Sequence, residues 1–305
     1  MSGDGIELLA TTADPVVARE VQVGGMRMSA LCAEVADPRA VVVAVHGGAT
    51  SAHYFDLPGR PWLSLLRLGA RLGFTVLALD RPGYGASAPW DEVFDDPRRR
   101  VEASYGAIDA LLGTSGRGAG VFLAGHSAGC DLAARMAADE RGADLLGLEL
   151  AGTGVHKQAE AIRVIDEIRR TRRAGGIRDL LWSPPGGYPP EVAGGRSLTV
   201  DTPRYETAVV VDWPTDFRAL AARVRVPVRL TTAEHERVWR TDAAARAEIA
   251  GFFTATPSFA DHEQHGCGHN MSVGHHAAAY HLGLLAFVEE CALRATSPGT
   301  ECEER

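Results

Sequence analysis

Ser127 stands at the centre of Gly125-His126-Ser127-Ala128-Gly129, directly after the apolar run Val121-Phe122-Leu123-Ala124. A serine hydroxyl is a poor nucleophile at neutral pH. To attack a carbonyl it needs a base to take its proton, a carboxylate to orient that base, and donors for the developing oxyanion. The surroundings of Ser127 suit that task. Glycines on both sides permit a sharp strand-to-helix turn that lifts the hydroxyl. A strand before and a helix after are the setting in which G-x-S-x-G forms a nucleophile elbow, and a helix N-terminus aims N–H groups at negative charge. The competing reading is a glycine-rich packing turn, and the partners decide between them.

Candidates for each partner are present. His46-Gly47-Gly48 follows the β-branched run Ala40 to Val45. A glycine-rich loop there leaves backbone N–H groups free, so Gly48, with Ala49 as the neighbouring possibility, pairs with Ala128 as a candidate oxyanion hole. Late in the chain, residues 261–270 hold His262, His265 and His269. His269 is favoured as the base because Gly266 and Gly268 give its loop freedom and a helix follows. His262 reads as part of a strand, and His265 is the alternative. His275, His276 and His281 fall on the last helix as surface or packing residues. No carboxylate and histidine share the helical spacing of zinc motifs, so neither a metal nor any other cofactor is expected. For the acid, Glu234 and Glu236 compete after the strand-like run Val226 to Thr231, with Asp212 a weaker third.

The elements that must position these residues alternate. Strand-like runs at 17–23, 26–35, 40–45, 75–79, 120–124, 145–150, 226–231 and 258–262 are interleaved with helical segments at 61–72, 97–112, 128–138, 215–222, 241–249 and 274–291. That order predicts a doubly wound, mostly parallel eight-stranded sheet flanked by helices. Residues 152–214 break the alternation with an amphipathic helix at 159–170 and a Gly/Pro-rich stretch around Trp182 to Tyr188. This is too long for a simple connection, so it reads as a cap inserted into a core made of residues 1–151 and 215–305. The ends, 1–15 and 294–305, read as frayed.

Bulk properties narrow the function classes. The chain has 305 residues and a formal net charge of -8, against general affinity for nucleic acid or anionic membranes. Five dispersed cysteines (Cys32, Cys130, Cys267, Cys291, Cys302) make an odd count without zinc spacing and read as reduced thiols. No secretory signal or membrane-spanning run is visible, so the expected location is cytoplasmic.

Taken together, HGG at 46–48, DRPGYGAS at 80–87, GHSAG at 125–129, the acid loop at 233–236 and GCGHN at 266–270 resemble the α/β-hydrolase superfamily over roughly residues 17–293, cap excepted. The resemblance implies the chain order Ser127, acid, His269. It favours Glu236 as the acid, three residues after the small Ala233 that closes the strand, although the superfamily more often uses Asp. It implies a largely structural role for the 80–85 loop, with Asp80 and Arg81 as a buried pair. Similar haloalkane dehalogenases and epoxide hydrolases place Asp, and dienelactone-type enzymes Cys, where this chain has Ser127.

The expected activity is a serine hydrolase acting on a small-molecule ester, thioester or lactone. The alternatives are a lyase or cyclising enzyme using the same residues, and a binding module that has lost catalysis. Tyr54, Phe55, His156, Trp182 and Tyr188 are candidate substrate-pocket residues. Arg169, Arg170, Arg172 and Arg173, near a helix C-terminus, suit the helix dipole or an acyl-carrier docking patch, and Arg98, Arg99 and Arg100 are read the same way. The protein is expected to act as a monomer or homodimer.

Overall fold

A computed structural model describes residues 16–171 and 176–296. One sheet carries all eight expected strands: β1 (Val17–Val23), β2 (Met26–Ala33), β3 (Val41–Val45), β4 (Thr75–Leu79), β5 (Val121–His126), β6 (Gly147–Ala151), β7 (Val228–Ala233) and β8 (Phe259–Gln264), in the order β1-β2-β4-β3-β5-β6-β7-β8. β2 runs antiparallel to β1 and β4, and the remaining neighbours are parallel. β3 to β7 are buried along their full length, as strands covered on both faces require.

The two-residue period of these strands divides the core. Val41, Val43, Val45, Leu77, Leu79 and Leu123 face α2 (Pro97–Leu112) and α3 (Gly129–Ala138). Val42, Ala44, Val76, Ala78, Phe122 and Ala124 face α1 (Leu65–Arg71) and the last helix (Ala277–Thr296). Every parallel strand therefore ends at the same edge of the sheet, and the turns at that edge hold the candidate residues.

Several elements differ from expectation. The segment 61–72 is not one helix: a 3-10 turn at Pro61–Leu63 precedes α1, and Ser64 caps α1 by accepting the Arg67 N–H at 3.0 Å. The last helix continues to Thr296, past the expected frayed boundary at 294. Residues 152–214 contain α4 (Ala159–Thr171), α5 (Ile177–Leu181) and the first part of α6 (Glu206–Ala221). α6 begins well before Thr215 and runs through Pro214, where a helix start was expected. A proline inside a helix removes a hydrogen bond. Here the buried stripe Val209, Trp213, Phe217 and Leu220 packs as one face and offsets that cost.

The basic clusters also sort out. Arg98, Arg99 and Arg100 open α2 rather than close a helix, and Arg100 is buried, donating to the Phe94 carbonyl at 2.8 Å with its guanidinium over Tyr205. Arg170 pairs with Glu167; Arg172, Arg173 and Cys302 lie outside the described residues, as does the side chain of Arg169. The four described cysteines are buried and free. Among the described residues no helix is long and apolar enough to cross a membrane.

Candidate active site

The turn between β5 and α3 is tight enough to explain its sequence. A Cβ at Gly129 would lie 2.4 Å from the Val45 carbonyl oxygen, and one at Gly125 would lie 2.9 Å from the Ala133 side chain. Only glycine fits at these positions. Ser127 itself adopts φ +52, a left-handed conformation uncommon for a residue with a side chain. Its N–H is anchored to the Ala151 carbonyl at 2.8 Å.

His269 comes from the loop after β8. Its Nε2 lies 2.9 Å from Ser127 Oγ and its Nδ1 lies 2.8 Å from Glu236 Oε2. A carboxylate only accepts, so Nδ1 carries the proton and Nε2 offers its lone pair to the serine hydroxyl. Glu236 is held in turn: its Oε1 accepts the N–H groups of Val238 at 2.8 Å and Trp239 at 3.4 Å. Burial works to raise the Glu236 carboxyl, but His269 and these donors outweigh it and hold the group below the ordinary carboxylate range.

The competing acid and base pair with each other instead. Glu234 Oε2 accepts the Gly266 N–H at 2.8 Å and lies 3.6 Å from Nδ1 of the exposed His265. Asp212 is exposed on α6 and His262 lies on β8. Cys130 is fully buried beneath the turn, facing the Gly125 and Ala151 carbonyls, and burial pushes its thiol up, away from the reactive thiolate.

The loop after β3 holds the candidate oxyanion donor Gly48. Tyr84 Oη accepts the Ala49 N–H at 3.2 Å. Among the described residues no partner takes the N–H of Gly48 or of Ala128. Arg81 props this loop. Its Nη2 donates to the Gly47 carbonyl and Tyr84 Oη, both at 3.1 Å, and to both oxygens of Glu206 at 2.8 and 3.0 Å. The expected Asp80–Arg81 pair does not form. Adjacent residues leaving a strand point apart, so Asp80 instead accepts from Ser29 Oγ at 2.6 Å and from the Ala52 N–H at 2.8 Å.

A cavity of about 340 Å³ opens over Ser127. Its rim is Gly48, Ser127, Ala128 and His269. Its walls come from α4 (Ile165), α5 (Ile177, Leu181), α6 (Val209, Val210, Trp213) and the acid loop (Val238, Trp239), with the carboxylates of Asp131 and Glu206 also lining it.

None of the five aromatic or histidine residues expected to line the pocket is in its wall. Tyr54 is buried with its hydroxyl 3.0 Å from His126 Nε2, and Phe55 packs edge-on against it. His156 faces solvent and pairs with Glu248 at 2.8 Å. Trp182 and Tyr188 pack against each other, and Tyr188 Oη accepts the Asn270 N–H at 3.3 Å behind the base loop. The hydroxyls of Tyr54 and Tyr188 found partners in the scaffold, which turned those two rings away from the cavity. The aromatics that do line it, Trp213 and Trp239, had one available signal: Trp213 follows Val209 by four residues, on one helical face.

The profile of the alpha/beta hydrolase family matches residues 42–281. No curated protein sequence matches the chain. Solved structures with the same fold include the esterase RhEst1 from Rhodococcus sp. ECU1013, at 20% identity and TM-score 0.65, covering 90% of this chain and 99% of that one. A soluble variant of monoglyceride lipase from Saccharomyces cerevisiae matches at 11% identity and TM-score 0.66, covering 95% and 98%. The thioesterase domain from the curacin biosynthetic pathway matches at 16% identity and TM-score 0.58, covering 89% and 99%.

Proposed function

The chain belongs to the alpha/beta hydrolase family, and we propose that within it the protein is a serine hydrolase that cleaves a carboxylic ester, thioester or lactone through an acyl-enzyme. The observation that carries this reading is the unbroken chain Ser127 Oγ, His269 Nε2, His269 Nδ1, Glu236 Oε2, with contacts of 2.9 and 2.8 Å. The unclaimed N–H groups of Gly48 and Ala128 at the rim of the same cavity support it.

In this reading Ser127 Oγ bonds to the substrate carbonyl carbon as its proton passes to His269 Nε2. The carbonyl oxygen takes the negative charge and is met by the Gly48 and Ala128 N–H groups. Collapse breaks the bond to the leaving group, which departs with the proton from His269. Water then attacks the acyl-enzyme, giving one proton to His269, and Ser127 takes that proton back as the carboxylic acid is released. Glu236 keeps its charge throughout and stabilises the imidazolium. The acyl part is expected to be apolar, since α4, α5 and α6 present Ile165, Ile177, Leu181, Val209 and Val210 to the cavity.

The test is intact-protein mass after fluorophosphonate treatment, alongside turnover of p-nitrophenyl esters. Wild type is expected to gain one adduct and to cleave short and medium esters. Ser127→Ala gains none, and both Ser127→Ala and His269→Ala lose about 10³-fold or more in kcat. A folded wild type that takes no phosphonate and cleaves no ester would overturn the reading.

A further inference from the structure

The reacting side chains sit on elements that the chain does not tie together. Ser127 belongs to the β5–α3 turn and His269 to the loop after β8, and two strands, β6 and β7, lie between β5 and β8 in the sheet. Misplacement of a reacting group by about 1 Å can cost 10²-fold in rate, so something besides the triad contacts has to set the height of the imidazole.

The residue that reaches across is His126, the variable position of the serine pentapeptide. Its Nε2 lies 2.9 Å from the backbone carbonyl oxygen of His269. A carbonyl only accepts, so Nε2 must carry the ring proton. The same N–H is within 3.0 Å of Tyr54 Oη and is shared with it. The tautomer then leaves Nδ1 with a lone pair, and Nδ1 is buried without a hydrogen-bond partner, beside Gly47. An unpaired buried acceptor is a cost, and the His269 carbonyl is what dictates it. The ring is also fixed in its plane, stacked on Tyr54 at 4.4 Å and 20°, with its centroid 5.2 Å from the His269 ring. The other hydrogen bonds to this loop reach different residues: Tyr188 Oη accepts the Asn270 N–H, Tyr54 Oη the Ser272 N–H and Glu234 the Gly266 N–H. Residue 269 itself is gripped at its carbonyl by His126 and by the Met271 N–H at 3.1 Å.

We infer that His126 is a positioning residue for the base: its Nε2–H holds the His269 carbonyl and thereby fixes the imidazole between Ser127 and Glu236. The inference rests on the proposed reading of Ser127, His269 and Glu236. Burial, the neighbouring His269 and Arg81 push the His126 imidazole down to about 3. It therefore stays neutral when His269 takes up a proton, and adds no repulsion against the imidazolium. The nucleophile motif thus supplies both the attacking oxygen and the strut for the base that activates it.

The test compares His126→Gln, whose amide N–H has similar reach, with His126→Asn, which falls short, and His126→Leu, which has no donor. Far-UV circular dichroism and thermal unfolding check the fold of each. The readouts are kcat and KM on a medium-chain p-nitrophenyl ester and the rate of Ser127 phosphonylation. His126→Leu is expected to lose about 30- to 100-fold in kcat with KM within about threefold, and to phosphonylate correspondingly slowly. His126→Gln is expected to recover to within about tenfold of wild type, ahead of His126→Asn. Equal activity in the glutamine and asparagine variants would overturn the strut, and that comparison stands even if the leucine variant fails to fold. So would a folded His126→Leu within about threefold of wild type. If wild-type Ser127 takes no phosphonate, the hydrolase reading falls first. A reactive wild type with indifferent His126 variants removes only the strut.

Discussion

The rim of the cavity and its walls are built on opposite principles. The rim is made of turns at the ends of β3, β5, β7 and β8, where a left-handed serine, a glycine packed against a carbonyl and a carboxylate with three donors leave little freedom. The walls draw on α4, α5, α6 and the 238–239 segment, whose contribution, Glu206 apart, is apolar side chains of no special geometry. Chemistry needs atoms placed to a fraction of an ångström, and shape-based selection of an acyl chain needs only volume and apolarity. Substitutions in the rim should therefore abolish rate, and those in the walls should change which substrate is used.

The largest effect is expected at the acid. Glu236→Gln keeps the size and removes the charge, and its amide can donate to His269 Nδ1, favouring the wrong tautomer. A fall in kcat of about 10³- to 10⁴-fold is expected. Glu234→Gln touches only the exposed His265 and the Gly266 N–H, and should leave kcat within about twofold or threefold. Steady-state kinetics of the two variants side by side decides the matter. Equal losses would mean that the acid loop works as one unit and that the placement of Glu236 is not what matters.

That contrast tracks what the sequence made legible. Strand ends are marked by short local patterns, because a tight turn needs glycine and a buried strand needs a β-branched run. The fold, and Ser127, Gly48, Ala128 and His269 as candidates, could be named from such patterns. The acid could not: the residues left Glu234 and Glu236 competing, and only the resemblance to the α/β-hydrolase superfamily favoured Glu236. The walls were illegible for a physical reason. Pocket lining is set by which side of α4 and α6 faces the core, and an aromatic ring buries as well behind the site as within it. Tyr54 and Tyr188 went to the scaffold, where their hydroxyls found partners, while Trp213 and Trp239 took the cavity, Trp213 with its indole N–H on the Gly154 carbonyl. Glu206 carries no local signal, since its partner Arg81 is brought in by a tertiary contact; Asp131 has a local partner in Arg135, four residues on in α3, and a tertiary one in Arg100.

An intermediate effect is expected from the walls. Ile165→Ala and Leu181→Ala each remove three carbons from half-buried cavity positions. At about 0.8 kcal/mol per methylene of lost contact, partly recovered by relaxation, kcat/KM for a decanoyl ester should fall about tenfold. An acetyl ester, too short to reach α4 and α5, should change by less than about twofold. A chain-length series of p-nitrophenyl esters measures this, and parallel losses at every length would erase the division between rim and wall.

The smallest effect separates two buried carboxylates, Glu236 against His269 and Asp131 at the cavity, by the sign of their pH dependence. Glu236 is held below its ordinary value of 4.5, so its ionised form favours the native state. That contribution is fully present above about 4.5 and is lost as pH falls through the folded value. The Tm penalty of Glu236→Gln should therefore be greatest near neutrality and shrink in acid. Asp131 runs the other way. Burial raises it above 3.8, against the pull of Arg135 and Arg100, so ionising it costs the native state as pH rises through the folded value. Asn keeps the neutral form and the Arg135 contact to a side-chain oxygen. Asp131→Asn should thus gain on wild type by about 2 °C in Tm as pH climbs from about 4 to 7. Thermal unfolding of the three proteins across that range checks both slopes. If they run parallel, the cavity carboxylate is held as firmly as the one paired with His269, and the electrostatic distinction between the two disappears.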